Sequence, residues 1–284
     1  MTLLDTVELE FITPCFCAGA TPSAPEIRPA SIRAEFRRWL RIMGADLATE
    51  SRIMGSAAGD TGNKSLITFR VSNIRKAPLF TDWKKWNPIP SGNNGYLSFF
   101  LKKQGKECLS PGTKFTLQAL TRKPLSVEDN DLFWEAWEAM IDYGSLGARS
   151  SRGFGAWVSK ENAERDDLPE PLGDDFEFDS IEINPVDQST NRLFNLIGEE
   201  VKNLRKEKQW SGKAYSPMGY VDGNSRQKSA YIFRPVKFKG GMNLLILKFM
   251  DFYNNEVSKF AGGRNIPKKR FYNQKPNWEN TPKK

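Results

Sequence analysis

A twelve-residue stretch, Gly144-Ser-Leu-Gly-Ala-Arg-Ser-Ser-Arg-Gly-Phe-Gly155, constrains the fold of this chain more than any other. Its four glycines give the backbone φ values and close approaches that other residues do not tolerate. It also separates two segments of opposite period. Asp131–Tyr143 offers Leu132, Trp134, Ala136, Trp137, Met140 and Ile141 for burial at helical spacing, and Gly155–Ser159 reads as a strand. The stretch is therefore a helix-to-strand connection with an unusual backbone.

The same periodicities order the chain before it. Thr6–Phe11 alternates as a strand does, and the loop Thr13-Pro-Cys-Phe-Cys-Ala-Gly-Ala-Thr-Pro follows. Ser31–Met43 is a predicted helix whose Ile32, Phe36, Trp39, Leu40 and Met43 fall within about 100° of one another. Ser65–Ser72, Tyr96–Leu101 and Thr113–Leu120 are expected strands. This series contains the order strand, helix, strand, strand, helix, closing strand of a split βαβ, ferredoxin-like unit. Downstream, Asn191–Arg205 reads as helix, Ala230–Phe238 as strand, and Met242–Phe252 is apolar enough to be buried. The expected fold is α+β, with tandem ferredoxin-like domains of which the second is shorter or degraded.

Charge marks the boundaries. Residues 161–180 hold nine acids and one base, with Leu168-Pro-Glu-Pro-Leu-Gly in their middle. The expected division is an N-terminal domain 1–160, an acidic linker 161–180, a C-terminal domain 181–261 and a basic tail 262–284. The tail has seven bases (Arg264, Lys268, Lys269, Arg270, Lys275, Lys283 and Lys284) against Glu279. The net charge of +8 thus becomes +16 over the 264 residues outside the acidic stretch. That balance fits a polyanionic partner, and it also fits lysines kept for solubility.

The chain has no histidine, which excludes Ser–His and Cys–His nucleophile pairs and histidine metal sites. Cys15, Cys17 and Cys108 are too few for a structural zinc site and form no disulfide framework. No metal or cofactor is expected. No stretch approaches a membrane span of ~18 apolar residues and no signal peptide is legible, so a cytoplasmic protein is expected. Gly55–Ser65 (GSAAGDTGNKS) is not a P-loop, because Asn63 interrupts the motif and a strand follows it.

Two constellations could carry function. Arg28, Arg33, Arg37, Arg38 and Arg41 lie within fourteen residues, and Arg33, Arg37 and Arg41 recur every fourth position. Such a stripe can grip successive phosphates, or it can pair with acids from elsewhere in the fold. In the glycine stretch, Gly147, Arg149, Ser150, Ser151, Arg152, Gly153, Phe154 and Gly155 combine backbone N–H groups, guanidinium groups and a ring suited to stacking on a base. Alternatively, the glycines serve turn geometry alone. Trp83, Trp86 and Tyr96, with Lys84 and Lys85 between, form a further candidate stacking platform, or a half-buried rim.

Several of these residues together resemble a known family. Thr13-Pro-Cys-Phe, Glu26-Ile-Arg-Pro-Ala-Ser-Ile-Arg-Ala-Glu-Phe-Arg-Arg-Trp, Ile53-Met-Gly-Ser and Leu146-Gly-Ala-Arg-Ser-Ser-Arg-Gly-Phe-Gly are similar to the RAMP superfamily of CRISPR proteins. They look most like Cmr1-type subunits of type III-B Cmr effector complexes. Tyr96-Leu-Ser-Phe, Pro111-Gly-Thr-Lys-Phe, and Arg226-Gln-Lys-Ser-Ala with Arg234-Pro-Val also fit. The resemblance implies a tandem ferredoxin-like fold that binds CRISPR guide RNA and target RNA without sequence specificity, beside other RAMP subunits. It makes Gly147–Gly155 the RAMP glycine-rich loop and the arginine helix an RNA-facing element. RAMP subunits that cut RNA carry an Asp before this helix or use a His. Residues 17–28 hold only Glu26, so a non-catalytic role is expected. A ribonuclease using Glu26 or Asp142, and a structural adaptor, are the alternatives.

Overall fold

A computed structural model describes residues 1–21, 23–56, 62–85, 93–168, 176–183, 189–207, 220–222, 225–227, 229 and 231–249. The expected basic tail lies outside these residues. In chain order the first half comprises β1 (Thr2–Phe11), α1 (Pro29–Ile42), α2 (Leu47–Met54), β2 (Ile67–Arg75), α3 (Asn93–Lys103), β3 (Lys114–Thr121), α4 (Val127–Tyr143), β4 (Trp157–Ser159) and α5 (Lys160–Glu164). The second half comprises β5 (Phe176–Ile183), α6 (Thr190–Glu207), β6 (Tyr220–Asp222), β7 (Ser225–Gln227), β8 (Tyr231–Phe238) and β9 (Gly241–Phe249).

β1 to β4 form one antiparallel sheet in the order β2-β3-β1-β4, the strand order of a ferredoxin-like unit. Alternation along the central strands decides its two faces. Leu9 and Phe11 of β1, Phe115, Leu117 and Ala119 of β3, and Ile67 and Phe69 of β2 are buried with α1 and α4 in one core. The predicted stripe on α1 meets them there, with Ile32, Phe36, Trp39 and Leu40 wholly buried. Phe36 sits 5.1 Å from Phe69 and 5.5 Å from Phe133, and Phe69 stacks flat on Trp137. Each such ring removes roughly 150–250 Å² from water, so this aromatic layer dominates the core.

One expected strand is a helix. Residues 96–101 lie in α3, where Leu97 and Leu101, four apart, are both buried and α3 packs on α6. Short apolar runs satisfy both periods, and here the docking of α6 selects the helical one. α3 is thus an insertion between β2 and β3, outside the ferredoxin-like order.

The second sheet runs β5-β9-β8 with α6 between β5 and β8 in sequence. This repeats the β1-β3-β2 part of the first sheet, so the described second unit holds three strands and one helix of the same plan. Both ends of the expected acidic linker carry regular structure: 160–164 is α5, and β5 begins at 176. Among the described residues no helix is long and apolar enough to cross a membrane.

The halves meet at the end of the glycine stretch. Arg152 bridges Phe233 of β8, Phe154 stacks 4.2 Å from Phe194 of α6, and Arg234 Nη2 donates to Trp157 O at 3.2 Å. Elsewhere α2 is tied to α4 by a two-point ion pair, with Arg52 Nε 2.9 Å from Asp129 Oδ2 and Nη2 2.6 Å from Oδ1. This hydrogen-bonded guanidinium holds the Asp129 carboxyl below the usual carboxylate range, against its burial. A depressed folded-state pKa stabilises the fold above the unfolded value of about 3.9 and loses that effect as pH falls through the folded one. Asp129→Asn is therefore expected to lower the melting temperature at pH 6 and to flatten its dependence on pH below about 4. Parallel melting curves for both proteins between pH 4 and 2.5 would contradict this.

Candidate nucleic-acid interface

The glycine stretch and the loop after β1 hold each other along their length. Thr13 Oγ1 donates to Gly153 O at 2.7 Å and accepts from the Ala156 N–H at 2.9 Å. The Gly155 N–H donates to Pro14 O and the Ala148 N–H to Phe16 O, both at 2.9 Å. Two glycines are obligatory in this arrangement. Gly147 has φ +90° and its missing Cβ would lie 2.6 Å from Phe16 O; Gly155 has φ +67° and would place a Cβ 1.9 Å from Leu146 O.

These contacts use up several of the backbone donors in the glycine stretch. The N–H groups of Leu146, Ala148, Arg152, Gly153 and Gly155 all donate to carbonyls of the chain. Only the apex, Gly147–Ser151, is exposed or half-buried, whereas Arg152, Gly153, Phe154 and Gly155 are buried. Phe154, expected to stack on a base, is a core ring between Phe16 and Phe194. Arg152 is 6% exposed and donates to Ser229 Oγ at 3.2 Å and to Tyr231 O at 3.4 Å. Arg149 stays at the apex in a left-handed conformation, φ +63°, uncommon for a residue with a side chain.

The arginine stripe on α1 also divides. Arg37 Nη1 lies 2.5 Å and Arg41 Nε 3.2 Å from the two carboxylate oxygens of Glu50, a buried residue of α2. Arg37 Nη2 also reaches Met54 O at 2.9 Å and Gly55 O, and Arg33 Nη2 reaches Met54 O. The stripe therefore caps the negative C-terminal end of α2 and neutralises its one buried acid. Burial, together with the neighbouring guanidinium groups of Arg37 and Arg122, pulls Arg33 below its ordinary pKa. Arg38 points inward, 3.5 Å from Glu35, which also accepts from Trp39 Nε1 and the Ser145 N–H. Arg28 alone of the five is exposed, at the N-cap of α1, and 3.4 Å from an exposed Glu26.

Arg28 and the loop apex lie on either side of one segment. Gly147 packs against Phe16 and Cys17, the Glu26 N–H donates to Cys17 O, and Glu26 pairs with Arg28. The face of the first sheet away from the helices presents no aromatic ring at its centre. Thr6 and Glu8 of β1 stand opposite Gln118 and Thr116 of β3, with Arg70 and Ser72 on β2 beyond. Bases cannot stack there as they do on the aromatic strands of an RNA-recognition motif. Trp83 is buried edge-on against Phe16 at 4.7 Å, which removes it from the candidate platform. Trp86 and the Tyr96 side chain lie outside the described residues.

The candidate carboxylates stand in different settings. Glu26 is engaged by Arg28, whereas Asp142 accepts from Asn162 Nδ2 at 2.6 Å and is raised above its ordinary pKa by burial. Burial also pushes the Cys15 thiol well up and the Cys108 thiol to about 12, so neither is a reactive thiolate. Among the described residues no group of three or more Cys, Asp and Glu is arranged to hold a metal ion. Sequence reasoning gave no role to Thr13, Glu35, Glu50, Phe100 or Arg234. Thr13, Glu35 and Arg234 stand within the motifs that carry the resemblance, but nothing local marks Thr13 and Glu35 as brackets for the loop, and the fully buried Arg234 looks like any exposed arginine in a strand.

A family model of the RAMP superfamily matches residues 8–159. Over 176 residues the chain is 25% identical to the CRISPR system Cmr subunit Cmr1-2 of Pyrococcus furiosus, an alignment covering 52% of this chain and 91% of that one. Its fold resembles the crystal structure of Cmr1 from Pyrococcus furiosus in the apo form, with a TM-score of 0.55, 20% identity, and 86% and 87% of the two chains covered. It also resembles a chain of the type III-B Cmr-beta complex bound to cognate target RNA, with a TM-score of 0.53, 11% identity, and 88% and 94% covered. These two structural likenesses are likenesses of fold.

Proposed function

Because the chain belongs to the RAMP superfamily, whose model spans residues 8–159, we propose that it is an RNA-holding, non-cutting subunit of a type III CRISPR effector complex. A relative named as a Cmr subunit, and a fold neighbour within a Cmr complex on target RNA, support this class of partner. The RNA is the guide or the guide–target duplex, gripped by its phosphates and without regard to sequence.

One observation carries the reading: a cationic loop apex whose two flanks are braced through the backbone. The N–H groups of Leu146, Ala148, Arg152, Gly153 and Gly155 are bonded within the chain, so Arg149, Ser150 and Ser151 are presented on a braced mount beside Arg28. The outward contacts are Arg28, Gly147, Arg149, Ser150 and Ser151. Arg33, Arg37, Arg38, Arg41, Arg152, Gly153, Phe154 and Gly155 shape and hold that surface. Domain 1–160 carries the RNA, and the second unit braces the loop through Phe194 and Phe233. The non-cutting role is supported by the absence of histidine and of aspartate in residues 17–28, with Glu26 paired to Arg28.

The test is Arg28→Ala with Arg149→Ala. Arg28 is exposed and Arg149 is half-buried at the loop apex, so melting should change little. The slope of log affinity against log salt for single-stranded RNA should flatten by about 0.7 for each charge removed. Unaltered affinity and slope would overturn the assignment. Cleavage of labelled RNA by the purified chain, abolished by Glu26→Gln, would overturn the non-cutting role.

A further inference from the structure

α3 is not required by the ferredoxin-like order, yet it carries the most conspicuous exposed ring near the loop apex. Leu97 and Leu101 anchor this helix, and Phe100, at the edge of that anchored face, is 53% exposed. The guanidinium of Arg149 lies over the Phe100 ring at 5.3 Å from its centroid. Arg149 reaches that position with φ +63°, a left-handed conformation that a residue with a side chain adopts only against steric resistance. The Arg152 N–H, donating to Arg149 O at 2.8 Å, closes the turn that holds it there. Lys103 is exposed one turn beyond Phe100, and no acid occurs anywhere in α3. Among the described residues, Phe154 and Trp83 are buried, and the open face of the first sheet has no ring at its centre.

We propose that Phe100 and Arg149 form a seat for one unstacked nucleobase of bound single-stranded RNA, with Lys103 taking the adjoining phosphate. The proposal rests on the RNA-holding reading and adds to it the class of group recognised, a base rather than the backbone alone. A π-face is common to all four bases, so the seat is tolerant of sequence. The arginine on the ring adds a planar cation against which a base can also stack.

The experiment uses the full chain and two fluorescent oligoribonucleotides of equal length, one of uridylate and one of abasic ribose phosphate. Phe100→Ala should weaken binding of the uridylate chain roughly ten-fold and leave the abasic chain unaffected, with unchanged melting. Phe100→Trp should retain or improve uridylate binding. Equal affinity of the wild-type chain and Phe100→Ala for uridylate would overturn the seat, as would an equal loss on both oligonucleotides. Failure of the unaltered chain to bind either one would overturn the RNA-holding reading and the seat with it.

Discussion

Glu50→Ala is expected to be among the most destabilising single changes to a charged residue in this protein, lowering stability by about 2–3 kcal/mol. The carboxylate neutralises Arg37 at 2.5 Å and Arg41 at 3.2 Å and is itself buried. Removing one member of a buried ion pair typically costs about 3–5 kcal/mol, because the opposite charge remains desolvated. Arg37 keeps partial contact with water, which brings the figure below that range. For a chain of this size the melting temperature should fall by about 5 °C. The triple change of Arg33, Arg37 and Arg41 to Ala should act the same way, releasing the carbonyls of Met54 and Gly55 and stranding Glu50. Any loss of RNA affinity in that variant should follow unfolding, with little change in the salt slope of the folded fraction. If the triple variant instead melts like the wild type and its salt slope flattens by about 2, the stripe faces RNA and its role as a clamp is wrong.

Gly155→Ala should be worse still. Its Cβ would sit 1.9 Å from Leu146 O, a contact no side chain tolerates, and the residue holds φ +67°. Relief requires breaking the hydrogen bond from the Leu146 N–H to Gly155 O, and with it the mount for Arg149 and the joint between the halves. A loss of about 4 kcal/mol, or failure to accumulate folded protein, is expected. Gly105→Ala provides the control. Gly105 has a similar φ of +59° but nothing within 4 Å of its Cβ position, so it isolates the conformational cost, about 1 kcal/mol. Similar melting temperatures for the two variants would show that the close approach at Gly155 does not matter.

Much of the first half was legible from period alone. The helix over Ser31–Met43 buries the predicted Ile32, Phe36, Trp39 and Leu40, because a 3.6-residue repeat of large apolar side chains has one way to leave water. Residues 96–101 misled because a six-residue run is too short for its period to decide. The candidate site was legible as residue types but not as directions. Arg37, Arg38 and Arg152 are written in the same letter as Arg28, and nothing local distinguishes a clamp from a contact. Phe154 carried the same ambiguity, since a ring in a glycine loop can as well face the core as a base.

The sequence by itself determined the α+β class, the ferredoxin-like order, the glycine-rich connection and the concentration of arginine around it. Local periodicity and backbone sterics act over a few residues, and they suffice for those features. Only the tertiary structure decided which arginines remain at the surface and which are engaged within the fold. Glu50 is thirteen residues from Arg37, and Tyr231 is seventy-nine from Arg152. A charge is neutralised by whatever the fold brings within about 4 Å, and that distance is set by packing between elements rather than by order along the chain.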